Sequence, residues 1–120
     1  MSKNMLIVDD SRFSRLSLRK VVTGAFEGWA IEDAADGEEA LAIAARMPFD
    51  VVFIDYNMPG DDGLTVGKKL RLLQPQARLA MVTANVQGSL AEEVRANGIH
   101  FIPKPVTTEN IVAFLTQEVP

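Results

Sequence analysis

The 120-residue sequence has no cysteine and a single histidine, His100. The first absence excludes disulfides and thiolate metal centres. The second leaves histidine metal clusters and Ser/Cys–His–Asp triads poorly supplied. No apolar run approaches the ~18 residues of a membrane span. The opening Met1-Ser2-Lys3-Asn4 leads directly into a strand-like run, without the apolar region and cleavage site of a secretory signal; the expectation is a cytoplasmic protein that does not meet the membrane. Positive charge is not in excess either. Twelve Lys and Arg stand against 16 Asp and Glu, a net charge of −4, which argues against direct nucleic-acid binding. Basic residues do gather locally, Arg12, Arg15, Arg19 and Lys20 on one predicted helix and Lys68, Lys69 and Arg71 on another; solvated helix faces are the plain reading. What remains, 48% hydrophobic and 23% charged residues, is ordinary for a folded chain. At this length one core suffices, and residues 1–120 are read as one domain.

The hydrophobic pattern alternates between two periods. Met5-Leu6-Ile7-Val8 is a continuous apolar run, as in a strand buried on both faces. Asp10 or Ser11 then caps a helix with Leu18, Val21, Val22 and Ala25 on one stripe, ended by Gly24 to Gly28. Trp29 to Ala34 reads as a second strand, and Glu38 to Met47 as an Ala-rich helix stopped by Pro48. Asp50 to Asp55 is the third and most apolar strand, followed by the loop Met58-Pro59-Gly60-Asp61-Asp62-Gly63. A helix over Leu64–Leu73, a strand over Arg78–Val82, a helix from Ser89 to Asn97 with Gly98 at its C′ position, and a short strand over Ile99–Ile102 come next. Pro103-Lys104-Pro105 breaks that strand, and Thr107 or Thr108 caps a last helix carrying Ile111, Leu115 and Val119. Five βα units predict an α/β fold, a doubly wound parallel sheet with helices on both faces.

Ligands of such folds bind beyond the carboxyl ends of the strands. Asp9 and Asp10 follow the first strand, Asp55 ends the third, Thr83 follows the fourth and Lys104 the fifth. Each has a bland alternative: an N-cap for Asp9-Asp10, a turn residue for Asp55, a strand end for Thr83, a solvated cation for Lys104. Their convergence on one rim is what carries weight. Like charges 4 Å apart repel by ~4 kcal/mol at an effective dielectric of 20, and a divalent cation offsets that. An all-oxygen, incomplete ligand set favours Mg2+. A carboxylate can also attack phosphorus to form an acyl phosphate, and an ammonium and a hydroxyl suit the oxygens of a transferring phosphoryl group.

These residues resemble the receiver domain of two-component response regulators, single-domain chemotaxis regulators included, over essentially the whole chain. The matching stretches are Leu6-Ile7-Val8-Asp9-Asp10-Ser11-Arg12, Asp36-Gly37-Glu38-Glu39-Ala40-Leu41, Asp50-Val51-Val52-Phe53-Ile54-Asp55-Tyr56-Asn57-Met58-Pro59-Gly60, Thr83-Ala84-Asn85 and Phe101-Ile102-Pro103-Lys104-Pro105. The resemblance implies a flavodoxin-like fold with strand order 2-1-3-4-5. It implies that Asp55 is the phosphoacceptor, that Asp10 ligates Mg2+ directly and Asp9 largely through water, and that the Asn57 backbone carbonyl completes the protein's share of the metal shell. Lys104 would bind the phosphoryl group, Thr83 and Phe101 would form the switch, Asn57 and Asn85 would tune phosphate lifetime, and the Lys104–Pro105 bond would be cis. Three features depart from the family pattern: Asp61-Asp62 beside the site, the Gly98-Ile99-His100 spacing, and Pro103 before Lys104. His100 reads as a surface or structural residue, and Trp29, Met47 and Met58 as packing residues.

Two rival functions fit less well. A haloacid-dehalogenase-type phosphatase needs an acid two residues after its nucleophile, where this chain has Asn57. A flavin-nucleotide binder of the same architecture needs a first loop that welcomes phosphate, and Asp9-Asp10 repels it. A receiver that works as an interaction module without phosphorylation stays open. The implied partners are a sensor histidine kinase or histidine phosphotransfer protein, with the Arg-rich first helix as its docking face, and a downstream protein or detached output domain. The protein is expected to be a signalling phosphoacceptor that assists its own phosphorylation and dephosphorylation, not an enzyme acting on other molecules.

Overall fold

The run Met5-Leu6-Ile7-Val8 has no polar face because both of its faces are covered. In the computed structural model, which describes residues 3–85 and 87–116, it forms most of a strand inside a five-stranded parallel sheet. The elements are β1 (Lys3–Val8), α1 (Arg12–Ala25), β2 (Trp29–Ala34), α2 (Gly37–Ala44), β3 (Val51–Asp55), α3 (Gly63–Leu73), β4 (Arg78–Thr83), α4 (Gly88–Ala96), β5 (Ile99–Pro103) and α5 (Thr108–Thr116). The strand order is β2-β1-β3-β4-β5, as the resemblance implied.

Alternation along the strands divides the core in two. Leu6, Val8, Val52, Ile54, Leu79 and Met81 meet Ala40, Ile43, Leu64, Leu70 and Val94 of α2, α3 and α4. Met5, Ile7, Val51, Phe53, Ala80 and Val82 meet Leu18, Val22, Ile111 and Phe114 of α1 and α5. Phe114 was not in the apolar stripe read from the sequence. It is 2% exposed and packs edge-on against Phe53, with ring centroids 5.4 Å apart. Ala25, expected on the α1 stripe, is exposed at the helix end. Val119 lies outside the described residues.

Every helix but α4 begins on a side-chain cap. Ser11, Asp36 and Asp62 accept from the backbone N–H three residues on in α1, α2 and α3, and Thr107 does the same for Asn110 in α5. Asp62 is therefore a cap rather than a freely solvated loop acid. One boundary differs for a visible reason. The helix expected to reach Met47 stops at Ala44, because the buried Gln74 amide donates to the carbonyls of both Ala44 and Met47 at 2.8 Å and accepts the Phe49 N–H at 3.0 Å. β5 continues one residue beyond expectation, through Pro103; as an edge strand it tolerates the missing N–H.

Gly63 seats α3 against the end of β3. A Cβ there would stand 2.4 Å from the Asp55 carbonyl oxygen, 2.6 Å from Tyr56 Cα and 2.9 Å from Met81 Sδ. Backbone atoms cannot step aside cheaply, so Gly63→Ala is expected to destabilise the fold by about 2–3 kcal/mol, while Gly24→Ala, in α1 with no atom within 4 Å, stabilises it by about 0.5 kcal/mol. Urea denaturation of both variants measures the difference.

Candidate functional site

The carboxyl rim of the sheet carries the charged residues because the strands there stay in register past their apolar runs. Asp55 pairs with Val82 and Thr83 with Pro103. The Tyr56 N–H then donates to the Val82 carbonyl at 3.1 Å and the Lys104 N–H to the Thr83 carbonyl at 2.8 Å. The backbones that carry Asp55, Thr83 and Lys104 are thus laterally tied.

Asp9 is fixed through each of its polar groups. Its N–H donates to the Ala34 carbonyl at 3.0 Å, its carboxylate Oδ1 accepts the Ser11 N–H at 2.9 Å, and its carbonyl accepts Arg15 Nη1 at 2.6 Å. Asp9 and Asp55 are buried and Asp10 is exposed. One carboxylate oxygen from each lies within 4.8 Å of the other two. Burial pushes the Asp9 carboxyl above its ordinary value, and the charges of Asp55 and Asp10 add to that rise; the Ser11 N–H and the Lys104 ammonium act the other way.

Lys104 reaches in from the far side. Its Nζ stands 3.1 Å from Asp55 Oδ1. The contact is an ion pair off the hydrogen-bonding direction, so that buried oxygen has no hydrogen-bond partner. Asp9, Asp55 and Lys104 border a cavity of about 280 Å³ walled by Phe13, Leu18, Phe53 and Val106. Three clustered carboxylates with one unsatisfied buried oxygen form an oxygen-only donor set suited to a hard divalent cation.

The remaining candidates surround this centre. Thr83 is wholly buried. Its hydroxyl oxygen accepts the Asn85 N–H at 3.0 Å, and it keeps a proton to donate. The Asn85 side-chain oxygen accepts the Gln87 N–H at 3.1 Å. Asn57 is exposed two residues beyond Asp55. Phe101 is half-buried against the α2–α3–α4 side of the core, with the Arg95 guanidinium 5.7 Å from its ring centroid. The Lys104–Pro105 bond is cis. His100 is exposed on β5, one face of its ring covered by that of Phe114 at 5.0 Å; this partial desolvation, then Arg78 and Arg95, hold its pKa below the ordinary value.

The structure revises the reading of the first helix. Arg15 and Arg19 turn inward: Arg19 Nη2 lies 2.9 Å from Asp33 Oδ1 and Arg15 Nε 3.7 Å from Asp33 Oδ2. The exposed face of α1 instead carries Arg12, Phe13, Leu16 and Lys20. The sequence held no local signal for the Asp33 partnership, because the pairing crosses from β2 to α1.

Residues 5–116 match the family described as the response regulator receiver domain. The chain is 36% identical over 116 residues to response regulator MprA from Mycobacterium sp. (strain KMS), covering 94% of this chain and 49% of that protein; it spans about half the length of such relatives. It is 30% identical over 119 residues to chemotaxis protein CheY from Thermotoga maritima, covering 98% of each. A solved CheX–CheY–BeF3–Mg2+ complex from Borrelia burgdorferi is similar with TM-score 0.85 and 33% identity, over 94% of this chain and 86% of that one. The chain belongs to the response regulator receiver domains, the phosphoacceptors of two-component signalling.

Proposed function

We propose that this chain takes a phosphoryl group onto Asp55 from a sensor histidine kinase or histidine phosphotransfer protein, with Mg2+ as cofactor, and relays the change through α4, β5 and α5 to a downstream protein or detached output domain in the cytoplasm. One observation carries the reading above the others: a buried strand-end carboxylate stands 3.1 Å from an ammonium and within 4.8 Å of two more carboxylates. Asp9, Asp10, Asp55 and the Asn57 carbonyl would hold the magnesium, whose bound form supplies positive charge for the phosphoryl oxygens. The magnesium in the Borrelia relative's complex supports that choice of ion.

Each residue then has a chemical task. A carboxylate oxygen of Asp55 forms the new P–O bond as the P–N bond of the donor imidazole breaks, and the imidazole nitrogen keeps the electron pair. Lys104, already facing Asp55, meets a phosphoryl oxygen and screens its charge. Thr83 donates its hydroxyl proton to another. Asn57 and Asn85 can orient water or a phosphoryl oxygen, but neither is a base, so they tune the lifetime of the acyl phosphate without driving its hydrolysis. The exposed Phe13 and Leu16, flanked by Arg12 and Lys20, give the donor a mixed apolar and basic landing on α1.

Phosphorylation adds ~1.5–2 negative charges and shifts a population between two packings. Movement of Thr83 toward the phosphoryl group vacates space into which Phe101 turns. Phe101 has no phenolic hydroxyl, so burial of the ring alone sets the switch.

Incubation with Mg2+ and a small acyl phosphate is expected to give one labile phosphoryl adduct by mass spectrometry, absent from Asp55→Asn; an adduct that persists in that variant defeats the assignment. In metal-free buffer, Asp10→Asn should melt a few degrees higher by relief of repulsion, the shift given by about 1 kcal/mol in a domain of this size, while losing Mg2+ affinity. Asp9→Asn should also melt higher at neutral pH. The folded pKa of Asp9 is raised above 3.8, so the stability tied to its protonation is fully present below that value and lost as pH rises through the folded pKa. The advantage of Asp9→Asn should therefore vanish as the pH falls below 3.8, which calorimetric scans across pH can follow. Phe101→Ala should uncouple partner binding from phosphorylation; unchanged phosphate dependence would refute burial of the ring as the switch.

A further inference from the structure

We propose that Arg15 is a positioning residue for the acidic loop: its guanidinium clamps the carbonyl of Asp9, Asp33 orients the guanidinium, and the Asp9 and Asp10 carboxylates are thereby held where a divalent cation is taken up. This rests on the receiver reading and adds to it a residue from outside the acidic cluster.

The contact with the Asp9 carbonyl, at 2.6 Å, is short for N–H···O and of the charge-assisted kind. The Arg15 side chain is only 15% exposed. Its Nε is buried without a hydrogen-bond partner and faces Asp33 Oδ2 at 3.7 Å. The other oxygen of Asp33 is taken by Arg19 Nη2, which also donates to the Ile31 carbonyl at 3.3 Å. A line of contacts therefore runs from β2 through α1 to the loop after β1.

That carbonyl belongs to the peptide joining Asp9 to Asp10, so fixing it orients both residues. The preceding peptide is already fixed, since the Asp9 N–H donates to Ala34. With both peptide planes held, the Asp9 carboxylate keeps its bond to Ser11, and Asp10 is presented beside it at the surface. An arginine that served only as a surface docking charge would be neither this buried nor spent on a carbonyl.

The sign of the effect separates positioning from charge. Arg15 is itself a cation near the carboxylates, so its charge alone opposes Mg2+ uptake, and removing it would tighten binding. Loss of a clamp weakens it. Arg15→Met is expected to lower Mg2+ affinity about tenfold, the scale on which outer partners of metal ligands act. It should also speed exchange of the Ser11 amide in metal-free buffer. Arg19→Met removes the other guanidinium on Asp33 without touching Asp9, and should leave both readouts within about twofold of wild type. Arg15→Lys, which keeps the charge but not the planar fork, should move both in the same direction by a smaller factor, and serves if the methionine variant does not fold. Calorimetric titration with Mg2+ and amide hydrogen exchange of the full chain give these values. Arg15→Met with wild-type or tighter Mg2+ affinity would overturn the clamp alone. A wild-type chain that takes up no Mg2+ would overturn the receiver reading beneath it.

Discussion

Carboxylates brought within 4.8 Å of one another must be held there against their own repulsion, and the surrounding architecture reflects that demand. At an effective dielectric of 20, two like charges at such a distance oppose each other by about 3–4 kcal/mol, a large share of the 5–15 kcal/mol that keeps a typical domain folded. Flexible side chains on flexible loops would relax the strain by moving apart. Here Asp55 cannot, because it ends the fully buried strand β3. Asp9 cannot, because its N–H, carbonyl and carboxylate are each engaged. Only Asp10 faces solvent. The site is tense in the absence of a cation because the backbone around it is not free to yield.

Two positive groups moderate that tension in different ways. Lys104 lies directly against Asp55 Oδ1, but without a hydrogen bond to it. The carboxylate oxygen is therefore screened without being fully satisfied. Arg15 touches no carboxylate of the cluster; it takes the carbonyl of Asp9 and leans on Asp33. One cation tempers the charge, while the other fixes where the charge sits.

Most of the fold could be read from the sequence because its signals are local. Continuous apolar runs gave the central strands, the spacing of Leu18 and Val22 gave the inner face of α1, and Gly98, with φ of 72°, stands where a helix must stop. The rim residues could be read because a parallel sheet brings strand ends together whatever lies between them. What stayed hidden depends on contacts distant in sequence. Gln74 ends α2 from 27–30 residues away. Phe114 finds Phe53 across the layer. Arg15 and Arg19, which look like docking charges on a helical wheel, turn inward because β2 supplies Asp33. Periodicity places a residue on a face, but it does not say which counter-ion waits there.

The two layers of the core set one further consequence. Asp9, Asp55 and Lys104 border the cavity beside α1, whereas Phe101 packs with the layer of α2, α3 and α4 on the opposite side of the sheet. The acidic cluster and the Phe101 ring thus lie on opposite faces, separated by a single thickness of β-structure. Helices α1 and α4 therefore cover opposite faces of the same sheet. Under the proposed function the sheet would stand as a partition, with α1 exposing its Phe13 and Leu16 on one face while Phe101 answers on the other.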